Sequence, residues 1–172
     1  MLRTKEELFA QLQSLSIEFV TVHHQHAMTI DELMPLLGQL PLPGVVGKNL
    51  FLKDKKKKNK LYLLTAAHDR PINLKNITAA LGSAGELRLA DESVLLETLG
   101  VKQGCVTPFA LINDVAGNVT FLLDSIFMPK EDDEAQLAYF HPLTNDATTG
   151  VNKTDLLKFL EEIGHPPQVL EL

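Results

Sequence analysis

The stretch VVGKNLFLKDKKKKNKLYLLT, residues 45–65, decides the fold. Two apolar runs, Asn49–Lys53 and Lys60–Thr65, flank a polar, lysine-rich segment. Runs of this length rich in Leu, Phe and Tyr read as strands when a turn sequence separates them. The segment therefore predicts a hairpin with its tip at Asp54–Asn59. Upstream, Pro41, Pro43, Gly44 and Gly47 keep the chain irregular until the first strand begins.

The pattern on either side is interspersed helices and strands. Thr4 and Glu7 have the spacing of a capping box, and Leu8, Leu12 and Leu15 follow at helical intervals, predicting a helix over 5–15. Residues 17–22 read as a strand. Thr29 and Glu32 predict a second capped helix ending at Leu37 before Gly38. Asn73 caps a helix through Leu81, 87–89 is a short strand, and Asp91 opens a helix that stops at Gly100. Residues 109–112 and 119–123 read as strands joined by a hairpin loop over 113–118. Residues 136–140 form a further strand, and Asn152 or Thr154 caps a last helix that ends at Gly164 and Pro166. No βαβ rhythm is present and strand hairpins recur. The fold class is α+β around a mixed, mainly antiparallel sheet.

The chain has 172 residues, 45% of them hydrophobic, which suits a single domain over 1–172 with a real core. No apolar run approaches the roughly 18 residues of a membrane helix, and the charged start MLRTKEELFAQLQ has no secretory apolar core. A cytoplasmic protein is expected. Cys105 is the sole cysteine, which excludes an intrachain disulfide and a cysteine-based zinc site. It reads as a buried, inert thiol. The net charge is −6, yet residues 48–60 hold seven Lys and one Asp, +6, leaving −12 on the rest. A cationic tongue on an acidic body can confine a polyanion such as RNA to one face, although a solvated lysine hairpin has the same sequence.

Several chemistries are excluded by absence: there is no GxxxxGK[ST], no GxGxxG after a strand and no HExxH. His23, His24 and His26 form a cluster, but His23 and His24 are adjacent and point to opposite faces of a strand. They read as surface or partner-facing side chains rather than metal ligands. His68 and His165, both near prolines, read as structural. Three segments carry more. Lys48 enters a strand after a glycine-rich turn, where a cation stands beside exposed amides. Gly104-Cys105-Val106-Thr107-Pro108 is a tight loop able to wall a small pocket. His141 closes a strand ahead of Pro142.

Together and in this order, these segments resemble the YbaK and prolyl-tRNA-synthetase-associated editing family. VVGKNLFLKDKKKKNKLYLL resembles the family's lysine strand and hairpin, LGVKQGCVTPFALIND its GxxxP loop, and FHPLTNDATTGVNKTDLLKFLEEIG its histidine segment and closing helix. The resemblance spans roughly residues 4–171 and is strongest to the free-standing branch that clears Ala-tRNA(Pro). It implies a curved sheet with surrounding helices and hydrolysis of a mischarged aminoacyl ester, with no metal or cofactor. By position it assigns Lys48, Gly104 and His141 to catalysis. Asn49, Cys105, Val106, Thr107 and Pro108 are assigned to substrate binding. Cys105 stands where a smaller Ser or Ala is expected.

The resemblance makes the acceptor end of mischarged tRNA(Pro) the expected partner, with prolyl-tRNA synthetase as a second one. Lys53, Lys55, Lys56, Lys57 and Lys58 become candidate contacts to the tRNA. Deacylation of Cys-, Ser- or Thr-tRNA, and a non-catalytic tRNA-binding or synthetase-docking module, are the competing readings.

Overall fold

The computed structural model describes residues 1–82, 85–132 and 135–172. Its helices are α1 (Lys5–Ser14), α2 (Ile30–Leu37), α3 (Leu74–Leu81), α4 (Glu92–Leu99) and α5 (Lys153–Glu162). The strands are β1 (Phe19–His23), β2 (Gly44–Asp54), β3 (Leu61–Ala67), β4 (Leu87–Leu89), β5 (Val119–Asp124), β6 (Leu137–Phe140), β7 (Ala147–Asn152) and β8 (Gln168–Leu170). They form one sheet in the order β1-β7-β6-β2-β3-β5-β8, with β4 also paired to β2. Of these pairings β1·β7, β2·β3, β2·β4 and β6·β7 are antiparallel, while β2·β6, β3·β5 and β5·β8 are parallel. The sheet is mixed and mainly antiparallel, as the sequence predicts.

Alternation along the strands divides the core. Phe51, Leu63, Phe121 and Leu123 face one cluster, where Leu8 and Leu12 of α1, Leu99 of α4 and Phe159 of α5 pack against them. Their neighbours Leu52, Tyr62, Leu64 and Leu122 face the other side, against Ile77 of α3. A third cluster joins Val46 and Tyr139 to Leu33 and Leu37 of α2. Phe109 stands edge-on to both Phe140 and Phe159, at 5.9 and 5.6 Å between ring centroids, a geometry aromatic quadrupoles favour.

Local chemistry sets most helix starts. Thr4 and Glu7 form the reciprocal capping box: the Thr4 hydroxyl accepts from Glu7 N, and the Glu7 carboxylate accepts from Thr4 N. At α2 the device differs. Thr29 Oγ1 accepts from Glu32 N, but the Glu32 carboxylate reaches one residue further back, to Met28 N at 2.7 Å.

Four expectations need correction. Residues 44–47 are not irregular but open β2, Gly44–Asp54, because Gly44–Val46 pair with β6 and Gly47 pairs with β3. Residues 109–112 are not a strand but lie in a 3-10 helix, Pro108–Asn113. Pro108 presets a helical first residue and the Thr107 hydroxyl caps Phe109 N, so the apolar run is a buried helical turn. The 113–118 segment is consequently not a hairpin loop. It is a turn pinned by the Asp114 carboxylate, which accepts from Asn118 N and Val119 N. The first strand runs 19–23 rather than 17–22, because Ile17 N closes back on Leu12 O at the end of α1. Two strands were also missed. β7 carries Thr148, Thr149 and Gly150 and shows no apolar alternation, yet Thr148 and Thr149 are buried. β8 has only three residues.

Gly150 lies opposite Tyr139 in the β6·β7 register. A Cβ there would stand 2.5 Å from the Tyr139 ring. That ring is fixed, because its hydroxyl donates to Leu42 O and accepts from Leu42 N. Gly150→Ala is expected to destabilise the protein by about 1–3 kcal/mol through overpacking, seen as a lower urea midpoint at unchanged slope.

Candidate functional site

Strand β2 is paired unevenly. One side runs against β3 from Gly47 to Lys53. The other side pairs with β6 only over Gly44–Val46 and with β4 only over Leu52–Asp54. Between those partners the edge is open, and a cavity of about 400 Å³ occupies the opening. Val46 O accepts from His68 N on the β3 side, and Phe51 O accepts from Ala90 N on the opposite side. Peptide groups alternate in direction along a strand. Asn49, two residues from Phe51, therefore aims its N–H and C=O at the open edge.

The cavity wall includes Lys48, Gly104 and His141, brought from β2, from the loop after α4 and from the end of β6. Lys48 lies on the same face of β2 as Val46 and Leu50. Its backbone is paired with β3 opposite Ala66, but its ammonium makes no hydrogen bond or ion pair with any of the described residues and is available to a ligand. Asn49 also lines the cavity, and its Oδ1 accepts from Thr65 Oγ1 at 2.6 Å on the neighbouring strand.

Gly104 has φ +85, a conformation that favours glycine, and a Cβ there would come within 2.7 Å of Met28 Sδ. The loop thus crosses directly beneath Met28. Gly104 and Val106 line the cavity, and their backbone N–H groups find no acceptor among the described residues. Unpaired donors around a cavity are the chemistry that receives a carbonyl oxygen as it gains negative charge. Cys105, Thr107 and Pro108 stand differently. None of the three is in the cavity wall. Thr107 and Pro108 are buried as the start of the 3-10 helix, where they fix the course of the loop. Cys105 is half-buried rather than buried, and desolvation together with Asp146 raises its thiol pKa, which disfavours a reactive thiolate.

His141 is half-buried. Its Nδ1 lies 2.9 Å from Ala147 O; a carbonyl only accepts, so Nδ1 carries the proton and the neutral ring leaves Nε2 as an acceptor. Burial lowers the imidazole pKa; the Ala147 carbonyl works against this, the nearby His24 adds to it, and Asp146 opposes it. The His24 ring centroid is 6.0 Å away.

His24 is not the surface or partner-facing residue expected from the sequence. It is half-buried, its Nδ1 donates to Gln25 O and its Nε2 lies 2.8 Å from Thr148 Oγ1. His26 turns elsewhere, donating from Nδ1 to Asn145 Oδ1 at 2.6 Å. The same Asn145 points its amide at Met28 Sδ, 3.3 Å away. Backbone bonds from His24 N to Asp146 O and from Ala27 N to Asn145 O clip this segment beside the turn after β6. That clip sets Met28, Thr29 and Leu33 over the cavity. Sequence reading missed these residues, since they carry no reactive group. The histidine cluster preceding them was the available signal.

The lysine tip lies apart from the cavity. Lys55, Lys56, Lys57 and Lys58 are exposed, whereas Lys53 is ion-paired with Asp91.

Residues 24–159 match the family described as aminoacyl-tRNA editing domain. The chain belongs to this family. A relative from Mus musculus, prolyl-tRNA synthetase associated domain-containing protein 1, is 46% identical over 167 residues, covering 96% of this chain and 95% of the relative. The prolyl-tRNA editing protein ProX of Acetoanaerobium sticklandii is 29% identical over 168 residues, covering 98% and 97%. Among solved structures, one described as a "putative trans-editing enzyme for prolyl tRNA synthetase" superposes with a TM-score of 0.68 at 19% identity, covering 100% of this chain and 98% of that one, a likeness of fold. No helix among the described residues is long and apolar enough to cross a membrane.

In this editing domain the imidazole of His141 is expected to titrate below the ordinary value of about 6.5. A folded-state pKa below the unfolded one means that the unfolded chain takes up the proton first. The associated stability is complete above about pH 6.5 and is lost as pH falls toward the depressed folded value. Following the ring protons by NMR from pH 8 to 4 should place the His141 midpoint below that ordinary value. His141→Asn should flatten the acid limb of stability measured by urea unfolding.

Proposed function

We propose that this chain is a trans-editing deacylase that hydrolyses the ester of mischarged Ala-tRNA(Pro), acting as a single editing domain. The observation that carries this reading is the meeting of an unpaired Lys48 ammonium, free loop amides at Gly104 and Val106, and a neutral His141 around one cavity at an open strand edge. Such a constellation offers a cation for the terminal nucleotide or the ester, donors for the oxyanion, and an uncharged wall for a small side chain.

Water attacks the ester carbonyl carbon. The resulting oxyanion takes hydrogen bonds from the loop amides, and the carbon–oxygen bond to the terminal ribose then breaks. The leaving ribose oxygen takes up the proton that the attacking water gives up, and the products are alanine and tRNA with a free terminal hydroxyl. The adjacent 2′-hydroxyl of the substrate orients and activates the water, since no nucleophile is hydrogen-bonded to a side-chain base among the described residues of the cavity wall. His141 shapes the aminoacyl end of the site, and Asn49 holds the strand beside Lys48. The exposed lysines at Lys55–Lys58 receive the tRNA, and docking to prolyl-tRNA synthetase would deliver the substrate.

The selectivity follows from size. A synthetic site made for proline rejects a smaller side chain only through weaker apolar packing, about 10- to 200-fold. A second site that admits alanine and is too small for proline completes the discrimination.

Deacylation of Ala-tRNA(Pro), measured beside Pro-tRNA(Pro), Ala-tRNA(Ala) and Cys-, Ser- and Thr-charged tRNAs, tests the proposal. Alanine should leave tRNA(Pro) fastest, and Lys48→Ala should abolish turnover. Gly104→Ala, strained and pressed against Met28, should lower kcat by about 100-fold, comparable to losing one oxyanion donor. A terminal 2′-deoxy substrate should bind but not turn over. Faster release of another amino acid would reassign the substrate, and hydrolysis no quicker than in buffer would leave a binding module.

A further inference from the structure

The lysine tip is not a loose loop, and the reason is an acidic residue. Asp54 ends β2 at the base of the hairpin and is buried, 5% exposed. Its carboxylate accepts four backbone N–H bonds. Oδ1 takes Lys56 N at 2.9 Å, Lys57 N at 3.2 Å and Glu86 N at 3.1 Å, and Oδ2 takes Gly85 N at 2.6 Å. Two donors belong to the tip itself and two to the segment leading into β4. The lock is reinforced by main-chain bonds. Asp54 N donates to Lys60 O, Lys55 N to Glu86 O at 2.7 Å, and Lys60 N to Lys57 O. Asn59 takes φ +65 to close the turn, a conformation Asn tolerates. Gly85 is packed so closely that a Cβ would lie 2.6 Å from Lys56 Cβ and 2.8 Å from Asp54 Oδ1.

Burial pushes the Asp54 pKa up, but the four backbone donors outweigh it and bring it to about 2. The carboxylate is therefore charged wherever the protein works. It satisfies main-chain donors rather than pairing with lysine ammonium groups. The side chains of Lys55, Lys56, Lys57 and Lys58 are left exposed around a fixed backbone, with none in an ion pair among the described residues. A cationic cluster that repels itself needs such an anchor to hold its shape.

We infer that Asp54 is a positioning residue for a phosphate-binding platform, which holds the Lys55–Lys58 tip in the arrangement that takes the phosphodiester backbone of the RNA duplex behind the aminoacylated end. This rests on reading the cavity as the site for that end. The strand supplies the spacing: at about 3.3 Å per residue, Lys55 stands on the order of 20 Å from Lys48. At that separation the tip can meet the paired stem while the single-stranded terminus occupies the cavity. The remaining chain carries −12 and repels phosphate, which favours one docking face. Contacts of this kind fix register without reading sequence.

The decisive variant is Asp54→Asn, because it reverses the expectation from charge alone. Removing a negative charge beside a polyanion site should tighten binding if the tip acts only through its net charge. The platform predicts weaker binding. Binding of a non-aminoacylated acceptor-stem hairpin is measured across salt for the wild type, Asp54→Asn and Lys56→Ala/Lys57→Ala, and the deacylation kinetics are followed with full-length substrate. Asp54→Asn should weaken stem binding by about tenfold and reduce the slope of log K against log salt by about 2, at roughly 0.9 for each phosphate no longer neutralised. The impairment with full-length substrate should fall on KM rather than kcat.

Amide hydrogen exchange on the wild type guards against a variant that misfolds: Lys56 and Lys57 N–H should be protected in the free protein. Equal or tighter stem binding by Asp54→Asn overturns the inference, as do Lys56 and Lys57 amides that exchange at free-chain rates. A wild type that hydrolyses its substrate yet does not bind the stem overturns the platform alone. A wild type that binds the stem without hydrolysis overturns the deacylase reading instead.

Discussion

Strand β2 is satisfied on one side along most of its length and on the other side only at its ends. Everything else around the site depends on that asymmetry. A strand edge inside a folded protein normally has to be paired or covered, because its peptide groups cannot stay dry and unbonded. Here β6 and β4 take the two ends, and the middle faces a cavity wide enough for solvent or a ligand. The same strand carries Lys48 at the opening and Asp54 at its far end. Lys48 and Asp54 are thus parts of one strand, and the spacing between the cavity and the base of the tip is fixed by strand geometry.

The cavity itself is assembled by contacts remote in sequence. The clip between 24–27 and 145–146 brings Met28 across Gly104, and Gly104 can lie there because it has no side chain and a positive φ. His141 reaches the same place through the turn after β6, oriented by Ala147 O. Three chain segments more than thirty residues apart therefore fix one small volume. A change in any of them presses on its neighbours, as a Cβ on Gly104 would on Met28, and so alters the volume.

The hairpin at 45–65 was legible because its signal is local: apolar runs, a polar turn and length. The helix starts at Thr4, Thr29, Asn73 and Asn152 were legible for the same reason, as each cap acts within three residues. β7 was not, because its burial comes from Tyr139 on one side and Thr21 on the other, and a run of Thr and Gly has no intrinsic apolar period. The 3-10 helix at 108–113 was misread because a short, fully buried apolar run looks alike in either conformation. Lys48, Gly104 and His141 were singled out from the sequence through their local settings, and the structure brings them to one cavity. The part played by His24 and Met28 could not be read, since it depends on pairing with residues about 120 positions away.

The distribution of charge follows from the same architecture. A concentrated cation cluster is costly to hold together, and helix or sheet packing cannot supply counter-charge without cancelling it. Pairing every lysine with a carboxylate would neutralise the face, as happens locally at Lys53 and Asp91. Asp54 meets the problem differently, directing its charge to main-chain donors. The backbone of the tip is tied down while its ammonium groups stay unpaired. The acidic surplus elsewhere on the chain leaves these ammonium groups out of ion pairs among the described residues. Charge contacts at an exposed tip are screened by salt and readily exchanged, while the backbone geometry of the tip is held by the Asp54 carboxylate.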